Sequence, residues 1–491
     1  MAEASLRLAR TRVGQKSSLA AQALEVIGEA KRELGNYDEA EAAHREALTL
    51  RRENFGGDTP QVAASLNGLA LTLYRKDKMT EAEPLFRQAL AVNQKRFGEQ
   101  SEEAATSLNN LALCLRGLGS VAEAEAAFRA SLDIKRKVLG NEHPQVAVTL
   151  NNLASLLQAR GNLAGAEAAA RESVEIERKL FGTEHQNVAH ALSTLGDVLL
   201  LQGKLVEAEE AQRAALDMRR KLLGDDHLDV ASSLNSLGNV LTHERKLGEA
   251  EKAYREALAI VRKQLGDDAM NVATTLNNLA LNLENQGKLS QAESTCRQAL
   301  DIQRKKFGAG HLKVDASIEA LVRILREEGK LGEAEAVCRD TVQEIRALHP
   351  DDPQLAAALY RLAVQLVAAN KYAEAEPFAR ECVSIRERKL PDDWRTPIAR
   401  TLLGDDLLKQ GKYAEAETNL LSAYDGMKQR EAQIPYMNKV FLKKAAEALA
   451  QLYEATDRTN QAAQWKKTLE DFDRVQTNKP PVATPATKAK P

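Results

Sequence analysis

Apolar positions along most of this chain fall into two alternating stripes. In the segment that begins at Gln61, Val62, Leu66, Leu69, Ala70 and Leu73 occupy i, i+4, i+7, i+8 and i+11, one face of an α-helix. A second stripe follows after a short break, through Ala82, Phe86, Ala89 and Leu90. Such breaks carry a glycine at Gly35, Gly119, Gly161, Gly203, Gly287, Gly329 and Gly411, so the spacing predicts a helical hairpin, helix A followed by helix B.

The hairpin recurs with a period of 42 residues: QVAASLNGLALTLYRKDKMTEAEPLFRQALAVNQKRFG returns as EAATSLNNLALCLRGLGSVAEAEAAFRASLDIKRKVLG and as QVAVTLNNLASLLQARGNLAGAEAAARESVEIERKLFG. A leucine-type anchor stands at Ile27, Leu69, Leu111, Leu153, Leu195, Leu237, Leu279, Leu321, Leu362, Leu403 and Leu449. An alanine in an E-A-E-like context follows each anchor by 13 residues, from Ala40 to Ala462. Two anchors in one register define eleven candidate units. Small residues suit the points where paired helices approach to about 8 Å. The turns Lys137–Gly140, Lys179–Gly182 and Lys221–Gly224 place bases at the C-terminus of helix B and glycine at its cap.

Composition agrees with an all-α chain, with 44% hydrophobic but only 4% aromatic residues. Charge decides against two partner classes: 68 Lys and Arg against 70 Asp and Glu provide no single-sign field for nucleic acid or an anionic membrane. The four cysteines form no C-x-x-C pair, the N-terminus has no apolar signal region, and no run of 18 apolar residues occurs, so a reducing cytoplasmic location is expected. No nucleophile elbow, phosphate loop, dinucleotide fingerprint or zinc-protease motif is present, and no enzyme activity or cofactor is expected.

The registered L-A and E-A-E anchors resemble the tetratricopeptide repeat, and the 42-residue period with LNxLA and a G-x-x-H-P turn is similar to the kinesin light chain subclass, over roughly residues 18 to 465. The resemblance implies an all-α, right-handed superhelical solenoid of about eleven antiparallel helix-turn-helix units. Residues 1–17 are expected as an N-terminal helical extension and 18–311 as the regular array. Residues 312–475 are expected as divergent units and cap, and 476–491 as a disordered Pro, Ala and Lys tail.

In such a family helix A lines a concave wall. Two residues before the anchor stand Asn67, Asn109, Asn151, Asn235 and Asn277, with Ser193 in the one interrupted unit. Asparagine is a mediocre helix former, so propensity does not explain the row. An amide offers the donor and acceptor that one peptide unit needs. Helix rows about 10 Å apart match about three residues of extended chain. The resemblance implies that these five amides bind the backbone of a partner peptide, whereas the residues alone also allow bonds to a neighbouring helix. Side-chain selectivity is expected from Tyr74, Arg75, Arg116 and Asn239 on the next exposed turns. The recurring His143, His185, His227 and His311 are expected to bond backbone at the inter-unit turn, because ligands to one zinc must converge within about 2 Å. The expected function is a non-enzymatic scaffold that binds an extended segment of a partner protein. The alternative is a regulatory or sensor module that self-associates or clamps a kinase or transcription factor.

Overall fold

The computed structural model describes residues 18–477 except 309, 310, 351, 432 and 435. Residues 1–17 and 478–491, and with them the expected extension and most of the expected tail, lie outside the described residues. Among the described residues there are 22 α-helices and no strand. They pair as eleven hairpins, and the described residues form two compact units that divide between Ile260 and Val261.

In the first unit the helices are α1 (Ser18–Glu33), α2 (Tyr37–Phe55), α3 (Pro60–Arg75), α4 (Met79–Phe97), α5 (Glu102–Gly117), α6 (Val121–Leu139), α7 (Pro144–Ala159), α8 (Leu163–Phe181), α9 (Gln186–Leu201), α10 (Leu205–Leu223), α11 (Leu228–His243) and the larger part of α12 (Leu247–Leu265). The second unit holds the rest of α12, then α13 (Met270–Asn285), α14 (Leu289–Phe307), α15 (Leu312–Glu327), α16 (Leu331–Leu348), α17 (Pro353–Ala368) and α18 (Tyr372–Lys389). It ends with α19 (Arg395–Lys409), α20 (Tyr413–Gln429), α21 (Val440–Ala455) and α22 (Thr459–Thr477).

The punctuation has a local cause at each end. Helix A is capped by Thr59, Ser101 and Asp352 side chains, and by Nδ1 of His143, His185 and His227, which accept from the backbone N–H of Gln145, Asn187 and Asp229 at 3.1–3.2 Å. That gives three of the four turn histidines a backbone partner. The hairpin turn needs a left-handed residue, usually glycine, but Asp77, Arg245, Asn370 and Asp457 stand there with φ of 57–65°. Arginine is strained in that region by roughly 1–2 kcal/mol. Arg245→Gly is therefore expected to raise stability by about 1 kcal/mol in a urea titration, and a lower midpoint would refute the argument.

The core is the interleaved A and B stripes: Leu66, Leu69, Leu73, Phe86, Leu115, Phe128, Leu156 and Leu199 are all buried. One pair of positions trades volume from repeat to repeat. On helix B the slot reads His44, Phe86, Phe128, Ala170, Gln212 and Tyr254 through the first unit. On helix A the residue in the same register reads Gly28, Ala70, Ala112, Ala154, Gly196 and Gly238. A methyl group added at Gly196 would fall 2.7 Å from Gln212, and one at Gly238 would fall 2.6 Å from the Tyr254 ring. Glycine on helix A thus lets long polar side chains of helix B pass between the helices.

All four cysteines are buried and free, and burial pushes Cys296 up to about 12 and Cys114, Cys338 and Cys382 up to about 11. They are inert core residues at physiological pH.

The glutamates around the E-A-E alanine belong to an ion-pair ladder on helix B. In the first unit Glu167 takes Arg171 of its own helix at 2.8 Å and Lys204 of the next hairpin turn at 2.8 Å, while Arg171 reaches on to Glu207 at 2.6 Å. Glu41 and Glu209 repeat the pattern with Arg45 and Lys76, and with Arg213 and Lys246. In the second unit Glu293 pairs with Arg297 and Lys330, and Glu335 with Arg339 and Lys371. The lysine partners come first among the causes that hold Glu167, Glu293 and Glu376 down to about 2.

Candidate functional site

The asparagines expected to form a row sit on helix A, with Asn67, Asn109, Asn151 and Asn235 in the first unit and Asn277 in the second. They are less exposed than a ligand ladder would suggest. Asn109 and Asn151 are buried, and Asn67, Asn235 and Asn277 are partly buried. Their amide groups already bond neighbouring structure in several repeats. Asn109 Oδ1 accepts from Nδ2 of Asn152 in the next helix A at 3.2 Å, Asn277 Nδ2 donates to Ser317 Oγ at 2.8 Å, and Asn235 Nδ2 donates to the Ala231 carbonyl at 3.1 Å.

Oδ1 of Asn67, Asn151 and Asn277, in contrast, is buried with no hydrogen-bond donor. An unfilled acceptor of this kind costs roughly 1–3 kcal/mol.

The residues expected to set selectivity have different surroundings. Arg75 is exposed and Arg116 partly exposed. Tyr74 packs its ring onto the first unit's core. Asn239 is held from below: the buried Tyr254 hydroxyl, reaching past Gly238, donates to Asn239 Oδ1 at 2.7 Å and lies 3.4 Å from Thr242 Oγ1. One repeat earlier Gln212 passes Gly196 in the same way and donates to the Ser193 carbonyl at 2.9 Å and to Asp197 at 2.8 Å. Burial pushes the Asp197 carboxyl up to about 6 and the Tyr254 hydroxyl up to about 12.

Around Asn151 the structure gathers residues that the sequence had not singled out. A cleft of about 440 Å³ between α7, α8, α9 and the ends of α10 and α11 is lined by Asn151, Asn152, Glu177, Asn187, His190 and Arg219. Asn187 donates to Glu177 at 3.2 Å, and Arg219 donates to the Asp229 carbonyl and, at 2.6 Å, to Ser233 Oγ. Burial raises Glu177 and lowers His190 and Arg219. Glu177 and Arg219 belong to a helix-B column, with Arg51, Asn93 and Lys135, in which a polar residue is buried once per repeat. Lys135, bonded to Thr149 Oγ1 at 3.0 Å, is pushed down to about 8 by burial. The signal for the column was a polar residue at 42-residue spacing on the buried side of helix B.

A larger cleft of about 690 Å³ lies between α8, α9 and α10. Its floor is Leu192, Leu195 and Leu199, and its rim charges pair with each other, Arg171 with Glu207 and Lys179 with Glu175. Its charges are thus already matched within the protein.

Beyond residue 312 the asparagine slot holds Glu319, Tyr360 and Thr401. Thr401 is turned inward, donating to the Pro397 carbonyl at 3.2 Å. Among the described residues no helix is long and apolar enough to cross a membrane.

Stacked two-helix repeats, each contacting its sequence neighbours within a unit, define a helical-repeat scaffold. Tetratricopeptide repeat models match residues 19–95, 103–179, 145–221, 187–263, 229–305, 271–343 and 354–429, and a second such model matches 67–137, so the chain belongs to the tetratricopeptide repeat family. Similar solved structures include BtubC (BKLC) from P. vanneervenii, 23% identical over 45% of this chain and 90% of that one, with a TM-score of 0.39. A putative kinesin light chain of Podosopora anserina with nearly identical repeats is 24% identical over 42% and 99% of the two chains, at a TM-score of 0.37. A Rap protein complexed with competence and sporulation factor is 14% identical over 73% and 100%, at a TM-score of 0.44. No curated protein matches the chain.

Proposed function

We propose that this protein is a non-enzymatic scaffold that holds an extended segment of a partner protein against the helix-A face of its regular repeats. The observation that carries the reading is the unfilled amide oxygen of Asn67 and of Asn151, repeated at Asn277 in the second unit. A backbone N–H is the complement of such an oxygen, and the terminal torsion of asparagine is soft enough to turn the amide toward an arriving strand. Main-chain bonds then supply affinity and the variable neighbours supply selectivity. Near Asn67 and Asn109 those neighbours are Tyr74, Arg75 and Arg116, which suit an acidic or aromatic ligand residue. Farther along stands Asn239, oriented by Tyr254.

Because Asn109 holds Asn152, its replacement perturbs a helix contact, whereas Asn67→Ala and Asn151→Ala remove unfilled acceptors and are expected to leave stability unchanged or raise it, by up to about 1–3 kcal/mol each. Peptides selected from an unbiased displayed library against the wild-type chain are expected to bind the double variant about tenfold more weakly in a fluorescence titration. Retained affinity in a folded double variant would sink the reading.

A further inference from the structure

The divergent second unit holds an open cleft of about 490 Å³, within the range of small-ligand sites. Residues from α15, α17, α18 and α19 line it, together with Asn438 and Phe441 at the start of the last hairpin. Five guanidinium groups, Arg323, Arg326, Arg361, Arg386 and Arg395, meet two carboxylates, Asp315 and Glu319, which leaves a lining of net charge +3. Tyr360, Trp394 and Phe441 supply aromatic surface.

Three of the five arginines are already committed. Arg323 forms a two-point contact with Glu284 at 2.5 and 2.7 Å. Arg395 chelates Asp393 at 2.6–3.2 Å. Arg361 pairs with Asp315 and stands 3.6 Å from Glu319, yet its Nη1 has no partner. Arg386 is more weakly provided for. It is 7% exposed, and neither Nε nor Nη1 has a hydrogen-bond acceptor. Asp393, the carboxylate next to it in the charge balance, spends both its oxygens on Arg395. A buried cation with idle donors is costly unless an anion meets it, and the planar guanidinium fork matches the spacing of oxyanion oxygens.

We propose that this cleft binds an oxyanion, carboxylate or phosphoryl, carried on an aromatic body that lies against Tyr360, Trp394 and Phe441. The site is independent of the asparagine row. It also gives a reason for the departure from that row, since Glu319 and Tyr360 occupy the asparagine slot and line the cleft.

Calorimetric titration of the full chain with phenyl phosphate and with benzoate tests the proposal, with benzyl alcohol as the uncharged control. One-site binding of at least one anion is expected, weakened about tenfold or more by Arg386→Gln and severalfold by Arg326→Gln, while the alcohol gives no heat. The tighter anion tells which oxyanion the site prefers. Arg326 is an exposed helix position, so its variant stays informative if Arg386→Gln fails to fold. No binding by either anion, equal binding of the alcohol, or wild-type affinity in folded variants would overturn the proposal.

Discussion

Gly238→Ala is expected to destabilise the first unit even though alanine is the better helix former by about 1 kcal/mol. The new methyl group would sit 2.6 Å from Cε1 and 2.7 Å from Cζ of Tyr254, a side chain only 1% exposed. Overpacking of this sort costs roughly 1–3 kcal/mol. Tyr254→Cys alone would open a cavity and release Asn239 and Thr242 from the tyrosine hydroxyl, a loss of about 3 kcal/mol. The two together restore the alanine and cysteine combination that Ala280 and Cys296 form naturally in the same register. The double variant is thus expected to recover the loss caused by Gly238→Ala but not that of the tyrosine hydroxyl, a coupling of about 1–3 kcal/mol in urea unfolding. Strict additivity, or a Gly238→Ala variant more stable than wild type, would show that the exchange of volume is not what shapes this interface.

The first hairpins should loosen as pH falls from about 6.5 toward 4. His44 is 1% exposed, wedged where a methyl group added at Gly28 or Gly68 would lie 2.6 or 2.9 Å from its ring, and neither ring nitrogen has a partner. Burial, helped by the charge of Arg32 and opposed by that of Glu25, pushes its pKa down to about 4. The unfolded chain takes up a proton near pH 6.5 while the folded chain does not. The folded state is therefore most stable above that value and loses up to about 3 kcal/mol as pH drops through the window.

Global stability is a poor readout, since burial raises Asp197 and Asp406 to about 6 and their contributions run the opposite way. His190, lowered by burial, adds to the His44 trend from another repeat. The ladder glutamates held at about 2 act only below about pH 4.5. Amide hydrogen exchange in α1, α2 and α3 isolates the effect: protection is expected to fall between pH 7 and 5 in wild type and to stay level in His44→Gln. Glutamine is a fair replacement because Gln212 fills the same slot beside Gly196. Equal pH dependence in both proteins would remove His44 as the cause.

The hairpins were legible because their signals are local. Val62, Leu66 and Leu69 share a face by spacing alone, and Gly119 or Gly161 stops a helix by its own backbone freedom. The turn histidines were legible for the same reason, since His143 bonds a residue two positions away. What escaped depends on partners a whole repeat or more distant. The E-A-E glutamates read as mere context for a packing alanine, because Lys204 lies 37 residues after Glu167.

The asparagine row was visible as a row, but a sequence does not show that Asn152 turns back to Asn109. The sequence carries no signal for Tyr254 either, because only the packing of helix A against helix B shows that Gly238 lets its hydroxyl through to Asn239. The arginine cleft was hidden most thoroughly. Its walls come from several helices in a region where the period slips from 42 to 41 and an insertion precedes the last hairpin, so fading periodicity read as a cap.

The ion-pair ladder bears on how such a chain can change length. Glu167 and Glu209 are each clasped by an arginine of their own helix and by a lysine from the following turn, and Arg171 and Arg213 reach forward to Glu207 and Glu249 in the next copy. Excising residues 205–246 would remove Glu209 together with Lys246 and would present Glu249 to Arg171 in place of Glu207. The ladder charges named here would each keep a counterpart. Loss of this period is thus electrostatically silent along the ladder, whereas Gly165 and Gln291 stand where Glu207 stands and offer an arginine no forward carboxylate. Copy number is therefore a quantity that duplication and deletion can alter at little cost to the fold.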